Sequence, residues 1–179
     1  MFYLSLTERI ILIVSLSIVG VWLLLLAVNL IFVGSFSSIF KKHREALPVI
    51  LYTKMENLRS LIAILNQFGL DIDNRLVCIL NDIGPNDFDN PGSEIFTKSV
   101  NTLSYLKDEL LFLASQHPEL SDDPDFSLVK QNLIDSDNHY RNTITMYNAD
   151  VLGYNYWIRF LPCRFVFQIL RVKKKEIIS

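Results

Sequence analysis

Glycine, proline, cysteine and histidine are all scarce in this sequence, and each shortage limits what the chain can be. With 6 Gly and 6 Pro in 179 residues, the composition suits one compact helical domain. The two cysteines, Cys78 and Cys163, stand in apolar surroundings without CxxC or His-rich spacing. We therefore expect buried free thiols rather than a metal site or a disulfide framework.

Catalytic signatures are also missing. The sequence contains no HExxH, no phosphate-binding glycine loop and no GxSxG. Its 3 His residues lack nearby partners for a general-base role, and His117 and His139 are too far apart in sequence to nominate as a metal pair. We expect a non-enzymatic protein without a cofactor; a hydrolytic enzyme of unrecognised type is the weakest alternative.

Charge of one sign is not in large excess either. The net charge of -2 gives no indication of a nucleic-acid partner. Half of the residues are hydrophobic, however, which is more than a soluble domain needs, and the excess lies near the N-terminus.

The stretch from Ile10 to Phe40 has no charged side chain, and its densest part, Ile10 to Val33, exceeds the roughly 20 residues that span a hydrocarbon core. After a short flank at 1–9, we therefore predict a single-pass transmembrane helix at 10–36 that anchors the protein in the lipid bilayer. A cleaved signal peptide is the alternative, but the apolar run is long for one and Glu8 dilutes its basic flank.

Basic residues follow this span rather than precede it. Only Arg9 comes before, whereas Lys41, Lys42 and Arg44 come directly after. Because positively charged flanks remain in the cytoplasm, we expect the large domain to be cytoplasmic. Lys41, Lys42 and Arg44 are then predicted to contact lipid headgroups, with His43 beside them.

Helical periodicity continues through 37–162. The pattern predicts a helix from Ser37 to Phe68 that Pro48 kinks or restarts and Gly69 closes, and a short helix at Arg75 to Leu80. A third helix begins at the Ser93 cap and ends at His117-Pro118. The acidic stretch 81–92 lies between them and is predicted to be a solvated loop, because Pro91 and Lys98 occupy positions where an EF-hand needs other residues.

The longest pattern runs from Asp125 to Leu161. Apolar and aromatic residues recur there at steps of three and four, at Phe126, Val129, Leu133, Tyr140, Ile144, Tyr147, Val151, Tyr154, Ile158 and Leu161. A helix of this length stands about 50 Å tall and needs equally long partners to cover its stripe. The predicted fold is therefore all-α: the transmembrane helix followed by an elongated antiparallel helical bundle at 37–162.

The same segment carries a repeated pair, Tyr147-Asn148 and Tyr154-Asn155, two turns apart on one helix face. It follows His117-Pro118-Glu119-Leu120, then Phe126, then Asp137-Asn138, and it precedes Leu161-Pro162. In that order and spacing the chain resembles the LemA family of bacterial membrane-associated helical proteins. A looser likeness covers His43 to Leu51, although Val49 and Ile144 depart from the family's usual Asn and Arg.

This resemblance implies a bacterial inner-membrane protein without an agreed biochemical activity. Asn138, Asn148 and Asn155 are candidates for a partner surface. The alternative is structural: each Tyr packs in the core with its hydroxyl at the edge, and each Asn satisfies a neighbouring helix.

The C-terminal tail at 163–179 alternates bulky apolar and basic residues. One interpretation is an interfacial helix whose Arg171, Lys173, Lys174 and Lys175 are drawn to anionic lipid. The other is that Phe165, Phe167 and Leu170 cap the open end of the bundle while the basic residues are solvated.

Taken together, these patterns favour a membrane-anchored scaffold or adaptor that presents a long helical surface to membrane or envelope proteins. Homo-oligomerisation is compatible with this architecture. The alternative function is a regulatory or signalling protein whose bundle, or whose acidic loop from Asp82 to Asp89, binds a small ligand or ion.

Overall fold

The computed structural model describes residues 5–159, 167–168 and 172–178. These residues are helical or irregular, without a β-strand, so the all-α prediction is confirmed. The helices are α1 (Leu6–Gln67), α2 (Asn74–Asp82), α3 (Glu94–Ser115) and α4 (Pro124–Trp157), with 3₁₀ turns at Pro85–Phe88 and Pro118–Asp122.

Helix α1 is 62 residues long and covers both the predicted membrane segment and the predicted helix from Ser37. Pro48 lies inside it, so the helix does not restart there. Proline removes one backbone donor, whereas Leu47 and Leu51 on the same turn are almost completely buried and favour continued helix. The predicted end at Gly69 is confirmed: φ is +74° there, a conformation that glycine adopts without a Cβ penalty.

The first half of α1 is apolar on every side. Its large hydrophobic side chains from Ile10 to Phe32 that are exposed have 40% to 68% of their surface accessible. Mean hydropathy reaches 2.9 over 18 residues, so by length and composition this helix can cross a membrane. The prediction of one membrane-competent helix near the N-terminus is confirmed.

The chain divides into two compact units. The first comprises Met1–Phe40 and Ala149–Glu176. Within it, aromatic rings of α1 pack on the last turns of α4: Phe32 stacks on Trp157 with 4.8 Å between ring centroids, and Phe40 meets Tyr154 edge to face at 5.5 Å. Gly153 permits a close approach, because a Cβ at this position would lie 2.9 Å from the Phe36 ring.

The second unit comprises Lys41–Asn148 and Ile177–Ser179. Its core is built from apolar stripes of α1, α3 and α4, completed by single residues from α2 and the two 3₁₀ turns. The buried side chains are Leu47, Leu51, Met55, Leu58, Leu61 and Leu65 of α1; Phe96, Leu103, Leu106 and Leu110 of α3; Phe126, Leu133 and Tyr147 of α4; and Leu80, Phe88 and Leu120.

Local capping explains where the shorter helices start. The Asp73 carboxylate accepts from the Arg75 amide at 2.9 Å to begin α2, and the Ser93 hydroxyl accepts from the Phe96 amide at 3.1 Å to begin α3. The cap at Ser93 confirms the sequence prediction. The acidic stretch 81–92 is less solvated than predicted, because its 3₁₀ turn places Phe88 in the core.

The prediction of buried cysteines is wrong for Cys78, which is a free thiol exposed on α2. Helix α2 is a short amphipathic helix that buries Leu80, and Cys78 lies two residues away on another side of it. Cys163 lies outside the described residues.

Candidate functional site

Helix α4 contains Asn138, Asn148 and Asn155, the residues predicted from the sequence as a partner surface. Asp123 caps its start, with the carboxylate accepting from the Phe126 amide at 2.7 Å. Tyr147 and Tyr154 are only 6% and 5% exposed, so the prediction that both rings pack in the core is confirmed. The asparagine that follows each tyrosine lies about 100° further round the helix and leaves the core stripe.

Asn148 binds the backbone of Ile178 with both ends of its amide. Its Nδ2 donates to the Ile178 carbonyl at 2.8 Å, and its Oδ1 accepts from the Ile178 amide at 2.8 Å. Both residues belong to the second unit. The Ile178 side chain is 3% exposed and reaches to 3.7 Å from the position that a Cβ on Gly92 would occupy.

Asn155 does the same for Lys175 within the first unit. Its Nδ2 donates to the Lys175 carbonyl at 2.8 Å, and its Oδ1 accepts from the Lys175 amide at 3.0 Å. The Lys175 ammonium lies 5.6 Å from the centroid of the Phe40 ring, a cation–π distance. We call the Asn148 and Asn155 pairings the asparagine clamps.

Each clamp contacts main-chain atoms only. An asparagine amide offers a donor and an acceptor side by side, which matches the N–H and C=O that one extended residue presents to one side. The described segment 172–178 has no helix or strand of its own. Each clamp therefore binds one residue of an irregular segment through backbone atoms that every residue except proline possesses.

A second polar constellation lies inside the second unit. Lys54 of α1 is 3% exposed, and its ammonium lies 2.6 Å from Asp137 of α4. It also donates to the Ser104 hydroxyl of α3 at 3.2 Å. The other carboxylate oxygen of Asp137 accepts from Lys107 of α3. This ionic cluster, Lys54, Lys107 and Asp137, joins three helices.

The ionic cluster shifts the pKa of each member. Burial lowers the pKa of Lys54, and the bond to Asp137 opposes that shift only partly. Burial opposes ionisation of Asp137 too, but the hydrogen bonds from Lys107 and Lys54 outweigh it and hold the pKa of Asp137 below its usual value. The pKa of Lys107 is raised, because the same carboxylate and that of Asp108 outweigh its desolvation. Asp137 is therefore ionised at neutral pH, as the buried ammonium requires.

Sequence reasoning missed this ionic cluster. In the sequence, Asp137 stands out only as part of the Asp137-Asn138 pair of the family pattern. A signal was present, since Lys54 falls in register with Leu47, Leu51, Leu58 and Leu61 and so interrupts an apolar stripe. A lysine in a stripe implies a buried carboxylate partner, but sequence spacing does not say which helix provides it.

The other predicted partner and lipid residues are dispersed. Asn138 is exposed and lies about 80° round the helix from Asn148, so it does not share the clamps' face. Lys41 pairs with Glu45 at 3.7 Å, and Arg44 donates to the side chain of Asn90 at 2.8 Å.

Among the remaining predicted lipid contacts, Lys42, Lys173, Lys174 and Lys175 are all exposed, and the Asn155 clamp binds only the backbone of Lys175. Arg171, Phe165 and Leu170 lie outside the described residues, so the two interpretations of the tail are compared only at 167–168 and 172–178. Phe167 is buried, and 172–178 is not helical.

Two of the cavities lined by described residues lie next to segments that the sequence analysis singled out, the acidic loop and the C-terminal tail. One of about 350 Å³ in the second unit is lined by Asp82, Asp87 and Lys98 among others, next to the acidic loop. Another of about 550 Å³ in the first unit borders Phe167, Val172 and Lys174. Within the described ranges, no three His, Cys, Asp or Glu side chains converge in a way that could hold a metal ion.

Comparisons with known proteins give no relative: no family model, no curated protein and no solved structure matches this chain.

Proposed function

We propose that this protein is a non-enzymatic adaptor of the LemA type, anchored by one pass through a bacterial inner membrane. Segment 37–162 forms an antiparallel helical bundle in this proposal, and the bundle presents α4 to other membrane or envelope proteins. The support is physical: one unbroken helix, α1, contains both a membrane-competent half and a half that contributes a buried stripe.

The observation that carries the adaptor proposal is the outward face of α4. Leu128 and Met146 are 60% and 55% exposed. They are 18 residues apart, which is five helical turns, so they share one side of α4, at least about 100° round the helix from the buried Phe126, Leu133 and Tyr147. Exposed apolar residues that recur along one helix face are typical of protein interaction surfaces.

Site-specific photo-crosslinking in intact cells tests the adaptor proposal. A photoreactive residue at Leu128 or Met146 should give a discrete adduct in the membrane fraction, whereas the same residue at the buried Leu133 should not. With the photoreactive residue at one of these two positions, lysine at the other should abolish the adduct. The adaptor proposal fails if no position gives an adduct, or if the lysine variant forms it equally well.

Orientation is a separate part of the proposal. Lys41, Lys42 and Arg44 follow the membrane segment, so the bundle should be cytoplasmic. A reporter fused to Ser179 that is active only in the cytoplasm should therefore be active, and its counterpart for the other side should be silent. The reverse pattern would place the C-terminus on the other side of the membrane, and partners should then be sought among envelope proteins.

The alternative function, ligand binding, is favoured by the 350 Å³ cavity beside the acidic loop. The Asp87 carboxylate accepts from the Gly84 amide at 3.0 Å and so holds the turn, which makes Asp82→Asn the cleaner test. If a metabolite or calcium binds there, it should raise the melting temperature of the wild type but not of that variant. No shift across a broad panel would reject this alternative.

A further inference from the structure

We infer that the larger cavity of the first unit binds a phospholipid with an anionic headgroup. This cavity, which we call the tail cavity, has a volume of about 550 Å³, and its lining includes Ile158, Arg159, Phe167, Gln168, Val172 and Lys174. All six residues belong to the first unit. The inference rests on the membrane anchoring in the proposed function and is independent of the adaptor surface on α4.

The lining of the tail cavity combines positive charge with apolar surface. Arg159 and Lys174 are exposed cations, whereas Ile158 and Phe167 are buried and Val172 is half-buried. A guanidinium can donate to two phosphate oxygens at once, and an ammonium adds a second positive charge. Apolar side chains offer a surface to the part of a lipid that follows its headgroup. A ligand with an anionic phosphate and an apolar remainder matches both parts of the lining.

Both cations of the tail cavity are available to an anion from outside the protein. Among the described residues, no Asp or Glu forms an ion pair with Arg159 or Lys174. Two like charges that line one cavity repel each other, and a phosphate bound between them replaces that repulsion by two attractions. A zwitterionic headgroup brings a cation of its own to the same place and gains less. The charges therefore favour an anionic lipid over a zwitterionic one.

The position of the tail cavity favours a lipid as the source of this phosphate. When the apolar stretch from Ile10 to Val33 spans the bilayer, Phe32 lies near one edge of the hydrocarbon core. Trp157 stacks on Phe32 with 4.8 Å between ring centroids, and Arg159 follows two residues later. Tryptophan is enriched at this depth, where the phospholipid headgroups begin. A lipid of the same bilayer presents its phosphate there, whereas a free anion stays in water.

Quenching of tryptophan fluorescence by brominated lipids tests this inference on the full chain in phosphatidylcholine bilayers. The protein has 2 Trp residues. With Trp22→Phe, the remaining Trp157 reports on the tail cavity next to it. Phosphatidylglycerol brominated near the start of its acyl chains should quench Trp157 with an affinity at least about tenfold higher than that of brominated phosphatidylcholine, since two cations bind its phosphate.

The other tryptophan provides an internal control. Trp22 is 40% exposed in the apolar half of α1. With Trp157→Phe, it reports on the lipid around the membrane segment, and both brominated lipids should quench it equally. A difference between the tryptophans then measures binding at the tail cavity, since general contact with the bilayer contributes to both signals.

Two charge variants in the Trp22→Phe chain separate the tail cavity from general surface charge. The cavity variant, Arg159→Gln with Lys174→Gln, removes both cations and should lower the preference for the anionic lipid at least about fivefold. The surface variant, Lys42→Gln with Lys173→Gln, removes the same charge from exposed positions outside the lining. It should retain the preference. Circular dichroism checks that both variants keep their helices.

A third variant tests the apolar part of the lining without a change of charge. Val172→Phe keeps both cations and fills part of the cavity, so the anionic lipid should bind at least about fivefold more weakly. Val49→Phe, at an exposed position of the second unit, is the matched control and should change nothing. An excess of inorganic phosphate should not displace the lipid, because it lacks the apolar part.

The inference is overturned if both brominated lipids quench Trp157 equally, or if the cavity variant keeps the preference. Equal losses in the cavity and surface variants would assign the preference to surface charge. An unchanged affinity in Val172→Phe, or displacement by inorganic phosphate, would also overturn lipid binding in the tail cavity.

Failure of the inference and failure of the proposed function give different results. If neither lipid quenches Trp22, the membrane anchoring fails and the lipid site falls with it. If Trp22 is quenched but Trp157 shows no preference, the anchoring stands without the lipid site. The adducts at Leu128 and Met146 report on the adaptor surface in either case.

Discussion

The two halves of α1 are both rich in leucine, isoleucine and valine, yet they meet different surroundings. From Ile10 to Phe32 the apolar residues surround the helix, and most of the large ones are exposed. From Leu47 to Leu65 they form one stripe that is almost completely buried, with charged residues such as Glu56 and Arg59 outside it. Apolar residues on all sides indicate a lipid-facing helix, whereas a stripe indicates packing against protein.

A buried charged side chain, Lys54, also distinguishes the second half of α1. In the second half, Lys54 occupies a stripe position and is neutralised by Asp137, which receives a second bond from Lys107. In the first half, Ser15, Ser17 and Ser35 return their hydroxyls to backbone carbonyls four residues earlier. Thr53 and Ser60 of the second half do the same, so the halves differ in the buried charge of Lys54 and not in how their hydroxyl groups are satisfied.

The largest expected effect comes from removing the partner of Lys54. Asp137→Ala leaves a buried ammonium without its carboxylate and should lower the free energy of unfolding by about 3–5 kcal/mol. Chemical unfolding of the detergent-solubilised chain, followed by near-UV circular dichroism, measures this. Asp135→Ala on the exposed side of α4 is the matched control and should stay within about 0.5 kcal/mol. Equal losses in the two variants would contradict the role of the ionic cluster.

Two leucines, one in each half of α1, allow a direct comparison of the stability effects in the two halves. Leu58→Ala removes a completely buried side chain and should cost about 2–5 kcal/mol in the same assay. Leu24→Ala removes an exposed side chain of the apolar half and should leave the unfolding transition unchanged within error. A comparable loss at Leu24 would show that this half packs against protein.

Membrane insertion should depend on the first half of α1 and not on the second, the reverse of what we expect for the free energy of unfolding. Leu24→Arg places a charge in the apolar half and should cost about 2.5–3.5 kcal/mol of insertion free energy. Tyr52→Arg, at an exposed position of the second half, should not affect insertion. Membrane fractionation with protease protection measures both variants. Normal insertion of the Leu24 variant would mean that this half does not face lipid.

The smallest expected effect is a dependence on pH. The pKa of Asp137 in the folded state is below its unfolded value of about 3.9, so its contribution to stability is complete above that pH and is lost as pH falls towards the folded pKa. Lys54 and Lys107 are protonated in both states at these pH values and add no slope. Unfolding measured from pH 6 to pH 2.5 should be less steeply pH-dependent in Asp137→Asn. An unchanged slope would assign the acid sensitivity to other carboxylates.

Local chemistry made several features predictable from sequence. Asp73 and Ser93 cap the helices that follow them, and Gly69 takes a positive φ where α1 has ended. The stripe positions Tyr147 and Tyr154 are buried as expected. These features depend on residues within a few positions of one another, which the sequence displays directly. Of the two alternatives at Pro48, a kink or a restart, the restart is not seen, because packing of the flanking leucines outweighs one lost donor.

The partners of polar groups were not predictable in this way. Asn148 and Asn155 could be placed on one helix face, but their hydrogen bonds go to Ile178 and Lys175, which lie 30 and 20 residues away in sequence. Asp137 is 83 positions from Lys54 and 30 from Lys107. Periodicity gives the side of a helix that a residue occupies, and it carries no information about which distant segment meets that side.

The sequence by itself determined the helices, their caps, the apolar half of α1 and the buried stripes, because propensity, capping and periodicity act over one or two turns. The tertiary structure alone decided that Lys54 would be buried against Asp137, that Cys78 would be exposed and that Asn148 and Asn155 would bind the backbones of Ile178 and Lys175. Those outcomes depend on which surfaces meet after folding, where burying a charge or an amide is tolerated only if a complementary group arrives from elsewhere in the chain.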